Sequence, residues 1–125
     1  MVLKIDFNSD EAIYIQLRNQ IIMGIATDVI REGDTLPSVR QMADHIGINM
    51  HTVNKAYSVL RQEGFVKLDR RRGAVVSLDV DKIQAIEEMR QNLDVVLACG
   101  ICRDISRNEV HQLVDEIYDR YTRPS

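Results

Sequence analysis

Residues 36–57, LPSVRQMADHIGINMHTVNKAY, constrain the fold more than any other stretch of the chain. Pro37 keeps Leu36 extended, because the residue before proline is pushed out of the helical region. Ser38 and Gln41 have the S-x-x-Q spacing of a capping box, which predicts a helix over Val39–Ile46. Gly47 comes next, where a positive φ costs little without a Cβ. Asn49 is placed to cap a second helix, expected from Met50 to Gln62. Ala43 is small enough for the two helices to cross closely, and Ile46, Ile48, Val53 and Ala56 are spaced to clamp them together. Two short helices with this turn between them make a helix-turn-helix, whose second helix is suited to the major groove of DNA.

The flanking segments read as support for that unit. Val2–Phe7 alternates and predicts a short strand or an extended arm. Ser9 or Asp10 then caps a helix expected over Glu11–Val29, with Ile13, Leu17, Ile21 and Ile25 at four-residue steps. Tyr14, Ile15, Ile22 and Met23 widen its apolar surface, so the rest of the domain is expected to bury it. Arg31–Asp34 is a turn, tightest at Gly33. After the second helix, Glu63-Gly64 breaks the pattern. Phe65–Leu68 and Ala74–Leu78 read as two strands around the turn Asp69–Gly73. A basic hairpin directly after a helix-turn-helix is a winged helix. Arg70, Arg71 and Arg72 at its tip, with Gly73, point to a phosphate or minor-groove contact rather than a merely solvated turn.

Composition breaks after Leu78. Asp79 or Asp81 caps a long helix carrying Ile83, Ile86, Met89, Leu93, Val96 and Leu97 at three- and four-residue steps, fading near Ala98–Cys102. Ser106 and Glu109 form a second capping box. The last helix aligns Val110, Leu113, Val114, Ile117, Tyr118 and Tyr121 on one face, and Pro124 closes the pattern. Two helices of this size cannot bury both stripes on each other, so they need the winged domain or a second copy of the chain. The expected fold is mainly α with a small β-hairpin. It comprises an N-terminal winged helix-turn-helix, residues 1–78, and a C-terminal two-helix dimerisation tail, residues 79–125.

The net charge of -3 argues against a nucleic-acid partner until its distribution is considered. Residues 1–78 carry 10 Lys/Arg against 9 Asp/Glu, and residues 79–125 carry 6 against 10. Within residues 40–73 the balance is 7 basic to 3 acidic, a local footprint for an anionic partner. No apolar run approaches the roughly 18 residues of a membrane span, and MVLKIDFNSDE has no signal-peptide pattern, so a cytoplasmic protein is expected. Cys99 and Cys102 form a single C-x-x-C at a helix end, without a second pair for zinc or the strand–helix setting of a redox motif. Incidental cysteines are therefore the first reading, and no cofactor or metal is expected. No phosphate-binding loop, dinucleotide fingerprint or hydrolase triad is present, which argues against an enzyme.

The order of elements resembles the GntR family of bacterial transcription regulators. The resemblance rests on Tyr14–Gln20, on the junction Gly33-Asp34-x-Leu36-Pro37-Ser38-x-Arg40, on His51–Tyr57 and on Gln62–Val66, and it spans roughly residues 10–78. The short tail is similar to that of the YtrA-type subfamily, whose helical tails serve mainly for dimerisation. The resemblance implies a DNA-binding regulator, and such members often regulate operons for membrane transporters.

In the family, the arginine matching Arg40 contacts the DNA backbone; its fork, with Ser38 and the helix-start amides, suits phosphate. Asn49, Met50, His51, Thr52, Asn54 and Lys55 form the expected reading end of the second helix. Thr52 suits a phosphate, Asn54 an adenine, and Lys55 a guanine or phosphate. Many family members have arginine where this chain has Met50 and Asn54, which implies a different operator sequence. Tyr57 is expected to pack with its hydroxyl at the edge of that surface, and Arg61, at the far end of the helix, reads as structural. The expected function is a homodimeric repressor on a palindromic double-stranded operator, with any small-molecule effector acting through half-site spacing. Two alternatives stand beside it: a thiol- or metal-responsive regulator switched through Cys99/Cys102, and a winged-helix protein-interaction module.

Overall fold

The computed structural model describes residues 3–79 and 81–121. The chain divides into two compact units, Met1–Asp79 and Val80–Ser125. The first contains helices α1 (Ile13–Ala26), α2 (Val39–Ile46) and α3 (Met50–Gln62), then strands β1 (Val66–Asp69) and β2 (Gly73–Val76). The second contains α4 (Lys82–Cys102) and α5 (Arg107–Tyr121).

Local chemistry sets the limits of α2 and α3. Ser38 Oγ accepts from Gln41 N at 3.1 Å while Ser38 N donates to Gln41 Oε1 at 3.0 Å, completing the capping box. Gly47 ends α2 with φ +80°, and the Asn49 side chain opens α3 by accepting from His51 N at 2.7 Å. Both helices have the expected bounds. Gly64 closes α3 at φ +86°, and a Cβ there would lie 2.9 Å from the Cβ of Asp79. Both the conformation and the space therefore require glycine at that position.

The first helix is shorter than its apolar pattern predicts, Ile13–Ala26 rather than Glu11–Val29. Its N-cap is Ala12, with no side-chain cap, so neither Ser9 nor Asp10 fills that role. Ser9 Oγ instead accepts from Glu11 N at 3.1 Å, in a turn before the helix. At the other end Thr27 Oγ1 donates to the Met23 carbonyl and Asp28 turns left-handed at φ +62°, which stops the helix. Residues 3–6 form an arm and not a strand; Met1 and Val2 lie outside the described residues. Gln16 and Gln20, one turn apart on α1, hold this arm. Gln16 Oε1 accepts from Asp6 N at 2.9 Å and Gln16 Nε2 donates to Asp6 O at 3.0 Å. Gln20 makes the same two-way exchange with the Lys4 backbone. The two side-chain amides thus act as a strand edge for alternate residues of the arm.

The wing is antiparallel, with Val66 opposite Val76 and Asp69 opposite Gly73. Its strands are offset from the expected Phe65–Leu68 and Ala74–Leu78. Phe65 N is occupied by the Leu60 carbonyl at the end of α3, although Phe65 O still accepts from Ser77 N at 3.0 Å, and Leu78 N donates to the Glu32 carboxylate at 2.8 Å, so the regular ladder ends at Val66 and Val76. The far edge of β2 is also paired. Val76 N donates to Asp34 O and Leu36 N to Ala74 O, both at 2.8 Å, with Thr35 bridged to Val75. The segment before Pro37 therefore serves as a third strand-like edge, and β2 is the central member.

Leu17 and Ile21 of α1, Met42 of α2, Val53 and Leu60 of α3 and Val76 of β2 are fully buried and form the core with Ala43, Ala56 and Leu36. Ile46 and Ile48 pack at its margin. The core takes one face of α3, that of Val53, Ala56, Tyr57 and Leu60, and leaves the opposite face exposed. Arg18 on α1 grips the last turn of this assembly, with Nε 2.9 Å and Nη2 2.8 Å from the two carboxylate oxygens of Glu63.

In the second unit Asp81, not Asp79, caps α4 by accepting from Gln84 N at 3.1 Å. Asp104 turns left-handed at φ +61°, and Ile105 N returns to the Gly100 carbonyl at 3.0 Å. Ser106 and Glu109 then cap α5 reciprocally at 3.0 and 3.1 Å. These bonds hold the Glu109 carboxyl below its usual range, the backbone N–H of Ser106 contributing most. Neither helix buries a single residue. Pro124 lies outside the described residues. Among the described residues no helix is long and apolar enough to cross a membrane.

Candidate nucleic-acid interface

One helical periodicity separates the two faces of α3. Val53, Ala56, Tyr57 and Leu60 are buried, whereas Met50, His51, Asn54 and Arg61 are exposed. The spacing places Met50, Asn54, Ser58 and Arg61 along one side at steps of three and four. Asn49 is also exposed, but its carbonyl oxygen is occupied by the cap, leaving its NH₂ group as the free end. Thr52 is half-buried.

Lys55 lies apart from that side. Its Nζ stands 4.1 Å from the ring centroid of Tyr14, over α1. The aromatic face attracts the ammonium and holds it over α1. The sequence places Lys55 with Asn54, but in the structure the two residues diverge.

Tyr57 joins α3 to the start of α2. The ring is buried and its hydroxyl donates to the Pro37 carbonyl at 2.7 Å. Burial raises its pKa well above the usual phenol value, so the hydroxyl remains a donor. This bond ties the start of α2, where Ser38 is the cap, to the middle of α3. Ser38 keeps its hydroxyl hydrogen available because its oxygen acts only as the cap acceptor. Arg40 is exposed, and no hydrogen bond or ion pair holds it among the described residues.

The wing tip is organised by Asp69. One carboxylate oxygen accepts from Arg71 N at 2.8 Å and from Arg72 N at 3.0 Å, which lowers the Asp69 pKa below its ordinary 3.8. The turn this enforces presents Arg70 and Arg71 outward, while Gly73 takes φ +81°. Arg72 is turned inward. Its Nη2 donates to the Gly33 carbonyl and to Thr35 Oγ1, the latter at 3.1 Å. Of the three consecutive arginines, the third fastens the wing to the edge segment before α2.

Cys99 and Cys102 are free and exposed in the last turns of α4. Among the described residues no group of three or more His, Cys, Asp or Glu is arranged to hold a metal ion.

The profile of "Bacterial regulatory proteins, gntR family" matches residues 10–76. The HTH-type transcriptional repressor YtrA of Bacillus subtilis is 38% identical over 76 residues, 61% of this chain and 58% of its own length. A YtrA structure from Sulfolobus acidocaldarius, described as a GntR-family transcription factor, is 36% identical, covers 94% of this chain and 97% of its own, and superposes with a TM-score of 0.58. A Listeria monocytogenes structure described as a transcriptional antiterminator is 27% identical, covers 94% of this chain and 90% of its own, and has a TM-score of 0.84.

Proposed function

The chain belongs to the GntR family as a YtrA-like, DNA-binding transcriptional regulator, and from that premise we propose that it is a repressor acting as a homodimer on a palindromic operator. One observation carries the homodimer: α4 buries nothing while leaving Ile86, Met89, Leu93 and Val96 between 43% and 61% exposed. With Leu113, Val114, Ile117 and Tyr118 of α5 equally uncovered, the tail has the apolar surface of half a core. A second copy of the tail supplies the other half. Ile83, Leu97 and Val110 belong to the same apolar set.

Pairing would bring two copies of α3 onto one face of a duplex. A single helix-turn-helix reads a few base pairs, so two-fold pairing supplies the affinity and sets half-sites about one helical turn apart. Within each half-site Asn54 is proposed to pair with adenine, while Met50 and His51 flank it. Asn49 and Thr52 border that reading end, while Lys55 rests on Tyr14 and takes no part in it. Arg40 and Ser38 are proposed to hold the backbone, and Arg70 and Arg71 to reach phosphates from the wing. Repression rests on similarity to a relative named a repressor.

Selection of bound duplexes from random DNA, with sedimentation of the protein alone, tests the proposal. The expected result is an inverted repeat bound by a dimer. A non-repeated site bound by a monomer would refute it. Transcription in vitro from a promoter overlapping the selected site should fall on adding protein; a rise would identify an activator.

A further inference from the structure

A groove lies between α3, the wing and residues 35–41, and the contacts above leave Ser58 and Arg61 on its α3 side without a role. It encloses about 450 Å³ and is lined by Asn54, Ser58 and Arg61 from α3 and by Leu68 and Arg72 from the wing. We infer that this groove seats one stretch of the operator's sugar–phosphate backbone, with Arg61 and Ser58 as its phosphate contacts. The inference rests on the reading of α3 as the major-groove helix.

Charge carries the argument furthest. Aspartate and glutamate outnumber lysine and arginine 19 to 16 in the chain, yet the groove lining contains two arginines and no carboxylate. The two guanidinium groups differ in availability. Arg72 is committed to Gly33 and Thr35. Arg61 is exposed, and no hydrogen bond or ion pair holds it among the described residues. The structural role expected of Arg61 from sequence therefore has no partner to support it. A free guanidinium fork facing a carboxylate-free groove matches a phosphate.

Geometry agrees with the charge. An α-helix with its side chains is about 10–12 Å across and the major groove about 12 Å wide, so backbone strands run along both sides of a lodged helix. Asn54, Ser58 and Arg61 lie at i, i+4 and i+7 on α3, on the side nearest the wing. With Asn54 at the bases, Ser58 and Arg61 lie further along the same side, where that strand passes. Leu68, 64% exposed on β1, offers the apolar surface that a deoxyribose face can cover.

The test compares the wild type with Arg61→Gln and Ser58→Ala on the selected operator, using salt titration and phosphate-ethylation interference. Arg61→Gln should weaken binding about tenfold, equally for operator and unrelated DNA. The slope of log K against log salt should flatten by roughly 0.9 for each phosphate that is no longer neutralised. A phosphate whose ethylation blocks the wild type should lose its influence on Arg61→Gln. Ser58→Ala should produce a smaller loss at the same phosphate. Because Arg61 is unpartnered, the variant should melt with the wild type, and Arg61→Lys should restore part of the slope. Wild-type affinity, slope and interference pattern retained in Arg61→Gln would overturn the inference and leave the DNA-binding reading intact. A wild type that binds no DNA would overturn both. Inorganic phosphate that binds the wild type but not Arg61→Gln, while operator affinity and ethylation interference are equal in the two proteins, would mark a free-anion site and overturn the backbone assignment.

Discussion

Arg72 lies between Arg71 and Gly73 at a hairpin tip, yet it donates to Gly33 and Thr35, and Lys55 lies beside Asn54 yet rests on Tyr14. Position in a basic run therefore does not decide what a cation does; the nearest acceptor or ring does. Tyr57 gives the most direct measurement at this scale. Tyr57→Phe removes the bond to the Pro37 carbonyl and leaves that acceptor without its partner. It should cost about 1 kcal/mol and lower the melting temperature by several degrees, read by calorimetry. Asn54→Ala should relax preference at one operator position by about 1–3 kcal/mol, read by repeating the selection; an unchanged motif would remove Asn54 from the reading set. The caps of α2 and α3 were legible at this scale because Ser38, Gln41, Gly47 and Asn49 act on neighbours within four residues. The fates of Arg72 and Lys55 were not. Their partners lie 37 to 41 residues away in sequence, and only the finished packing brings them together.

At the scale of elements, helix periods gave α2 and α3 correctly and α1 three residues too long at its C-terminal end, because Asp28 turns left-handed inside an apolar-looking run. The arm on α1 and the third edge beside β2 were hidden for a different reason. Each is made by backbone groups of a segment with no period of its own, paired with Gln16 and Gln20 or with Ala74 and Val76. The wing was visible as two β-rich runs around a charged turn, but its register depends on the carboxylate of Glu32 and the carbonyl of Leu60, which the pattern does not contain. Asp69 makes this element sensitive to acid. Its pKa is lowered on folding by the amides of Arg71 and Arg72, so its contribution is complete above the ordinary 3.8 and is lost as pH falls through the lower folded value. Amide exchange at Arg71 and Arg72 should therefore accelerate, relative to the strand amides, only at the acid end of a titration. Asp69→Asn should show the faster exchange at neutral pH.

For the whole molecule, the two units differ in how they bury apolar surface. The first has a closed core around Leu17, Val53 and Leu60; the second has helices, caps and a turn but nothing inside. A chain ending at Asp79 should keep the melting behaviour of the first unit, since the amide of Asp79 still reaches the Gly64 carbonyl, and should sediment as a monomer with weakened operator binding. Met89→Lys with Leu93→Lys should have the same effect on assembly in the full chain; a dimer that persists in both variants would move the interface elsewhere. Uncovered tail helices would also link cellular abundance to the control of transcription. If covering them requires a second copy, the population of paired molecules grows with the square of a dilute monomer concentration. Occupancy of the operator would then rise as a threshold rather than in proportion, so dilution at cell division or a modest change in synthesis rate would act as an input without any ligand.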